Sequence, residues 1–433
     1  MNKYFQQNKT LFSCGILSTL AYIYLAMQSQ HYGDASLTQL LIVATACFVL
    51  SIIAWWHYYK SEETVHIGTL LCFAVVFRVI GFCTFPILED DIYRYLWDGR
   101  MTIENGSPYN ISPAEFFSAT DLGERFDTIL SSINYPNIAT IYGPVCQWVF
   151  AFCYLLAPGE IWPLQAFFGL ADILLIFVLL KLAKPIYVLL YAWSPLIIKE
   201  LTITAHPDGL GALLLILAVW SYQNRNWYLT GALLALALGV KVFAVMLLPF
   251  LLGYSLRGWS TFIITAIIIA LPFGLTDAWF PAGLQEMNQS WLFNAPIYIT
   301  FIQWFSVDAI KAVMLSALAI GCAIYYWQVI RLWPATRIRG DLLLAALFLC
   351  APAFNAWYLA WLLPFAVIYP SVWAWAASLS LLLAYASGIN LNGSGLGPYQ
   401  QPYWLIIIEF AFILFAILFA AIFKRVYTKK IAG

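Results

Sequence analysis

The sequence predicts an all-α polytopic membrane protein with about 11 to 13 crossings, and three observations carry that prediction. Of its 433 residues 63% are hydrophobic, whereas soluble domains are nearer half apolar. The apolar residues fall in runs long enough to cross a bilayer, spread along the whole chain. Charged residues make up only 10% and gather mostly between those runs. Lys+Arg and Asp+Glu both number 21, so no basic surplus points to a nucleic-acid partner. The eight cysteines are scattered without a C-x-x-C and read as small buried apolar residues.

Taken in order, the first helix is expected at about 11–28. Lys3 and Lys9 precede it, which puts the N-terminus in the cytoplasm. The stretch reads as a retained helix, since it lacks a small-residue cleavage site. Helices at about 37–56 and 64–84 bring the chain out just before Glu89, with Pro86 marking the break. Residues 86–137 form the longest polar segment, in which AEFF and GERFDTILSSI suit short amphipathic helices on the membrane surface. Crossings are expected at about 139–157 and 162–180. The stretch 184–205 carries Pro185 and Pro195 and reads as one broken crossing or two half-length helices.

Another apolar run covers 207–220. Residues 227–256 are too long for one ordinary crossing and hold a single charge, Lys241, so a hairpin with Lys241 at its outer tip is expected. A helix at about 259–274 leads to a second outer loop, 275–303, and one at about 304–328 returns to Arg331, Arg337 and Arg339. Residues 341–369 repeat the hairpin, with PAFNAWY at the tip. A helix at 371–387 leads to a last outer loop, 388–402, and a final helix at about 402–423 ends in KRVYTKK, a cytoplasmic anchor. The whole chain, 1–433, reads as one transmembrane domain.

The chemistry-bearing residues collect at one end of this arrangement. Glu89, Asp90 and Asp91 head the first loop, followed by Arg94, Asp98 and Arg100. An aspartate in position can take a proton from a hydroxyl as displacement proceeds. Arg94, Arg100 and Lys241 could neutralise a phosphate leaving group. His206 and Asp208 sit at the outer mouth of a helix, and Asn355, Trp357 and Tyr358 offer a flat face and hydrogen-bonding edges for a sugar. Bland alternatives stand beside these: a solvated acidic cap, a snorkelling lysine, an interfacial aromatic belt. Arg78, Asp172, Lys199, Glu200 and Glu409 interrupt apolar runs and suit pairing within the bundle, or, for Arg78, with a loop carboxylate. The four histidines form no H-E-x-x-H, so no metal site is assigned; a divalent ion on Glu89, Asp90 and Asp91 stays open, since three sequential acids fix no coordination geometry. The absence of Walker A and G-x-G-x-x-G motifs leaves a lipid-linked donor rather than a nucleotide.

The segment PILEDDIYRYLWDGRMTIENGSPY at 86–109 resembles the first-loop signature of bacterial integral-membrane glycosyltransferases of the GT-C superfamily. It looks most like glycosyltransferase family 87 and the related polyprenyl-phosphate-mannose-dependent mannosyltransferases. The matching residues include Asp90, Asp91, Tyr93, Arg94, Asp98, Arg100, Pro108 and Tyr109. NYPNIATIYGPVCQWVF is similar to a tyrosine-glycine-proline segment at Tyr142 to Pro144. SPLIIKELTITAHPDGL, LGVKVFAVMLLPF and APAFNAWYLAWLLPF resemble later segments, at Glu200, His206 and Asp208, at Lys241, and at Trp357 and Tyr358. The likeness runs from about 78 to 364. Glu89 stands where the family often has a small residue, and Pro207 where it commonly has a polar one.

The resemblance implies a GT-C fold and inverting transfer of a hexose, mannose by analogy, from a polyprenyl-phosphate donor to a lipid or glycan acceptor outside the cytoplasm. Asp90 or Asp91 is the expected base, with the choice open. Arg94, Arg100 and Lys241 are expected at the donor phosphate. Glu89, Tyr93, Asp98, Tyr109, Tyr142, His206, Asp208, Asn355, Trp357 and Tyr358 are expected around sugar and acceptor. No cofactor and no obligate protein partner is expected. The implied place is the bacterial cytoplasmic membrane, with both termini cytoplasmic. Two rivals remain: a lipid-linked glycan ligase or polymerase on the same scaffold, and a transporter or flippase of lipid-linked substrates.

Overall fold

The computed structural model describes residues 8–31, 36–119, 122–274, 282–332, 338–391 and 393–431. Among them every regular element is helical, apart from one isolated bridge between Phe293 and Ala353. The first three helices are α1 (Lys9–Gln28), α2 (Leu37–Ser61) and α3 (Ile67–Phe82), with α1 packed on both others. Ser36 opens α2 with a reciprocal capping box to Gln39. The Ser29 hydroxyl donates to the Phe85 carbonyl (3.0 Å), which ties the turn after α1 to the end of α3.

The polar stretch that follows α3 is itself ordered. Asp91–Glu104 forms α4, and Glu124–Ser131 forms α5. Both are amphipathic: Ile92, Tyr95, Leu96, Trp97 and Met101 face inward from α4, and Phe126, Ile129 and Leu130 from α5. AEFF contributes only a single 3₁₀ turn, Pro113–Phe116.

One expected crossing is corrected. Pro144–Leu156 forms α6, apolar but only 13 residues long, about 20 Å against a hydrocarbon core of about 30 Å. Its start lies at Tyr142, whose hydroxyl donates to Asp91. Just past its end, Glu160 pairs with Arg125 of α5. Both ends therefore sit with the first loop, and α6 lies beside α4 rather than carrying the chain across. The contact between them is close: a Cβ on Gly99 would meet the Phe150 carbonyl oxygen at 2.5 Å.

Long and apolar enough to cross in this region are α7 (Trp162–Leu182) and, taken as one span, a bent pair, α8 (Pro185–Ala192) and α9 (Pro195–Ile203), that turns by 49°. Each half of the pair opens on a proline in its first turn, where the missing N–H costs nothing. The second half ends as a π-helix, Lys199–Ile203. With α6 kept on the side of the first loop and the bent pair counted as one span, forward and backward readings of the topology agree.

After the break come α10 (Asp208–Gln223) and α11 (Trp227–Val240), which pack together. Lys241 then adopts an extended conformation, a 3₁₀ segment runs from Val242 to Leu247, and α12 (Leu248–Leu252) closes the expected hairpin. α13 (Leu256–Gly274) packs on α11. α14 (Ala282–Ser290) and α15 (Pro296–Phe301) belong to the second outer loop, and α16 (Val307–Leu332) follows. Residues 275–281 of that loop, and Arg337 of the expected cytoplasmic anchor, lie outside the described residues. The second hairpin is α17 (Gly340–Cys350) and α18 (Leu359–Ile368), with Ala351 to Tyr358 between them. α19 (Val372–Ser380) and α20 (Tyr403–Ile431) complete the chain.

Six of these helices, α1, α2, α7, α13, α16 and α20, are long and apolar enough to span a membrane, and the bent pair makes a seventh. α3, α10, α11, α17 and others are shorter apolar helices. The chain is thus a polytopic, all-α membrane protein of GT-C-like architecture. Within the bundle Arg78 of α3 is neutralised by Asp172 of α7, Nη2 to Oδ2 2.7 Å, with both side chains buried. Its other donors reach the Ala74 and Ala192 carbonyls, and Tyr191 donates to Asp172 at 2.7 Å. A buried charge demands a counter-charge of this kind.

Candidate active site

The helix ends and loops converge on one cavity of about 990 Å³, counted with its open mouth. Glu89, Asp90 and Asp91 form one side, at the start of α4. Asn134, Tyr135 and Tyr142 come from the segment before α6. Lys241 comes from the first hairpin tip, Asn355, Trp357 and Tyr358 from the second, Tyr385 from just before the last outer loop and Tyr399 from within it.

The two aspartates share one anchor but have different company. Asn134 Nδ2 donates to Asp90 Oδ1 (2.7 Å) and to Asp91 Oδ1 (3.2 Å). Asp91 Oδ2 also accepts from Tyr142 (2.8 Å) and faces His206 Nε2 at 3.7 Å. Asp90 Oδ2 has only the Tyr399 hydroxyl, at 3.3 Å. Burial would raise Asp91, but His206, then Tyr142 and Asn134, outweigh it and hold this carboxylate down at about 2. Burial, then the charge of Asp91, pushes Asp90 up to about 6 and Glu89 up to about 8. Backbone strain flanks the group: Leu88, Tyr135 and Ala205 have positive φ of 57°, 46° and 54°. Such conformations cost of order 1–3 kcal/mol each and persist only where packing over-determines them.

His206 is held from behind by the π-helical turn. Its Nδ1 lies 3.2 Å from Glu200 Oε2 and 3.0 Å from Thr204 Oγ1. Its ring stacks on Trp357, centroids 4.4 Å apart. Glu200 in turn accepts from Tyr385 (2.8 Å) and pairs with Lys199 (3.2 Å), which also bonds the Tyr385 hydroxyl. Lys199, Glu200, His206 and Asp91 thus form a buried row of alternating basic and acidic groups. Burial would lower His206, but Asp91 and Glu200 raise it to about 9.

The expected cations differ in how they meet the cavity. Lys241 lines it and pairs with Asp208 (2.7 Å), whose other oxygen accepts from Trp361 Nε1 at 2.8 Å. The Lys241 ammonium lies 5.2 Å from the centre of the Tyr358 ring. Arg94 also lines the cavity, but its donors go to the backbone carbonyls of Asn134, Tyr135 and Ile138. It fastens the 134–138 segment that holds the aspartates. Arg100 points elsewhere, to Glu104 (2.7 Å), the Leu122 carbonyl and the Phe126 ring.

Asp98, Tyr93 and Tyr109 do not line the cavity, and His206 and Asp208 reach it only through Asp91 and Lys241. Asp98 is buried under it, accepting from Gln147 (3.1 Å) and Thr140. Tyr109 donates to the Tyr142 carbonyl at 2.9 Å, and so supports the tyrosine that holds Asp91. Asn134, Tyr385 and Tyr399 were not singled out from the sequence. Asn134 opens the NYPN stretch already noted for its likeness to the family, and Tyr399 follows a Gly-Pro in the last outer loop. Nothing in either local pattern marks a side chain that reaches back to Asp90.

A family model described as alpha-(1->6)-mannopyranosyltransferase, N-terminal domain, matches residues 14–257, more than half of the chain. The chain belongs to that family. No curated protein and no solved structure matches it. The matched span includes the first loop, the segment before α6, the bent pair and Lys241. Family and architecture together place this multi-pass protein among the GT-C-like mannosyltransferases, a glycosyltransferase-type enzyme. A lipid-linked sugar donor and a membrane acceptor are consistent with both.

Proposed function

We propose that this glycosyltransferase moves mannose from polyprenyl phosphate to a hydroxyl of a lipid or glycan acceptor at the extracytoplasmic face, with inversion at the sugar carbon. The observation that carries the reading is the single cavity in which first-loop carboxylates, Lys241 and the aromatic tip Trp357–Tyr358 face one another. The family description supports mannose.

In this mechanism the acceptor oxygen attacks the anomeric carbon as the bond from that carbon to the phosphate oxygen breaks. The acceptor proton passes to Asp90, and polyprenyl phosphate leaves. Asp90 is the better base because its Oδ2 has a single long contact, while both oxygens of Asp91 are engaged and His206 offsets its charge. Asp91 then fixes Asn134, and Asn134 aims Asp90. Lys241 meets the negative charge that grows on the phosphate. Trp357 and Tyr358 shape the sugar site, and Arg94 works indirectly by holding the 134–138 backbone.

The test uses purified full-length protein in nanodiscs, polyprenyl-phosphate mannose with glucose and other donors in parallel, and a membrane-lipid extract as acceptor. Asp90→Asn is expected to lower turnover at least about 100-fold, the usual scale for a general base, with donor binding kept. Normal transfer by Asp90→Asn alongside loss in Asp91→Asn would move the base to Asp91. Lipid-sugar crossing the bilayer with no transfer from any donor would sink the enzyme reading in favour of a flippase.

A further inference from the structure

We propose that Glu89 and Asp91 of the cavity wall and the buried His206 behind them form a divalent-cation site. One carboxylate oxygen from each acid and one ring nitrogen of His206 all lie within 4.8 Å of one another. Metal–ligand bonds of about 2.0–2.2 Å to such donors can be closed around a single ion from this starting geometry by small side-chain adjustments. The three residues come from two distant segments, which the break between α9 and α10 brings together.

The imidazole supplies the independent sign of a ligand. His206 is fully buried, yet its Nε2 makes no hydrogen bond. The nearest acid oxygen, Asp91 Oδ2, is 3.7 Å away, beyond hydrogen-bonding range. A buried ring nitrogen without a partner is costly. The opposite nitrogen, Nδ1, is 3.2 Å from Glu200 Oε2. This is the carboxylate–histidine arrangement that, once an incoming ion displaces the Nε2 proton, fixes the tautomer and turns the Nε2 lone pair toward the metal. The stacked Trp357 ring, 4.4 Å between centroids, locks the plane of the imidazole. Glu89 Oε1 has only the adjacent Asp90 N–H, at 3.3 Å.

Charge in the cavity points the same way. Its wall carries Glu89, Asp90 and Asp91 against Arg94 and Lys241. Arg94 has its donors on backbone carbonyls, and Lys241 is paired with Asp208. With its three acids ionised, as metal ligation requires of Glu89 and Asp91, this wall is net acidic toward an entering phosphate, and an ion of charge +2 would reverse that. A mixed carboxylate and imidazole set suits Mn²⁺ or Zn²⁺ better than an all-oxygen ion such as Ca²⁺. The role at a phosphate, as a Lewis acid, rests on the transfer reaction proposed above; the binding itself does not.

The experiment titrates Mn²⁺ into the full-length protein in nanodiscs and follows loss of the free-ion electron paramagnetic resonance signal. One tight site per chain is expected, weakened at least about tenfold in Glu89→Gln and in His206→Gln, in line with the loss of a ligand. Pulsed resonance on the wild type alone should show coupling of bound Mn²⁺ to a ¹⁴N nucleus, which needs no variant to fold. No binding up to millimolar Mn²⁺, or tight binding without ¹⁴N coupling, overturns the site. Binding with ¹⁴N coupling but without sugar transfer keeps the site and sinks the transfer reaction. Transfer that persists in full after the ion is stripped by chelator, with binding verified as lost, overturns the metal's part in the reaction and leaves the transfer reading intact.

Discussion

Asp90 and Asp91 are neighbours in sequence with opposite fates, because each residue at the start of a helix points about 100° away from the last. Asp91 turns toward Tyr142 and His206, and Asp90 toward Tyr399. No sequence pattern distinguishes them; only their partners in the fold do. The same limit applies to Arg78. Its charge in an apolar run announces a partner, but loop acids and Asp172 were equal candidates, and only the packing of α3 on α7 selects Asp172. Removing that partner should be severe. Asp172→Ala leaves Arg78 buried without its counter-charge, and breaking a buried pair in this way typically costs about 3–5 kcal/mol. Unfolding of the variant in detergent should show a loss of that order, and a change below about 1 kcal/mol would mean the pair behaves like an exposed one.

At the scale of elements, the sequence was most legible where proline and charge punctuate it. Pro185 and Pro195 mark the two halves of the bent pair, and Lys241 and the PAFNAWY stretch mark the two hairpin tips. It was least legible for α6, whose apolar composition matches a crossing although Tyr142 and Glu160 keep both its ends with the first loop. Hydropathy measures how apolar a helix is, and α6 is apolar because it packs on α4, with Trp148, Phe152, Leu155 and Leu156 still exposed on its other side. The start of α6 also carries a constraint that predicts an effect. A Cβ on Gly143 would lie 2.2 Å from the Gly239 carbonyl oxygen, backbone against backbone. Gly143 follows Tyr142, which holds Asp91, and Gly239 precedes Lys241 by two residues. Gly143→Ala must therefore push the carboxylates and the lysine apart. The expected outcome is a destabilisation of about 1–3 kcal/mol, as for other overpacked sites, with transfer falling more than tenfold in protein that remains folded. Thermal unfolding and the transfer assay measured together check this, and wild-type behaviour in both would remove α6 from the positioning of the site.

Over the whole molecule, the cavity gathers the loops onto one face, which the charge pattern alone does not do. The first loop carries Arg94, Arg100 and Arg125, which by the positive-inside tendency alone would place it in the cytoplasm. Each has a local use: Arg94 on backbone carbonyls, Arg100 on Glu104, Arg125 on Glu160. Such arginines carry no topological signal, and the first loop shares one cavity with the last outer loop through Asp90 and Tyr399. The opposite end is reached by α10, whose 16 residues lead from Asp208 to Gln223, about 24 Å of rise. This gives a prediction for the intact cell. In a background without the native cysteines, Ser118→Cys in the first loop and Ser394→Cys in the last outer loop, both exposed, should react with a membrane-impermeant maleimide added from outside. Asn224→Cys, exposed just beyond α10, should react only after permeabilisation. Labelling of 118 and 394 from opposite sides would break the shared cavity apart. Labelling of both from the cytoplasm, with 224 outside, would keep the cavity and reverse the protein, and transfer would then draw on donor and acceptor in the inner leaflet.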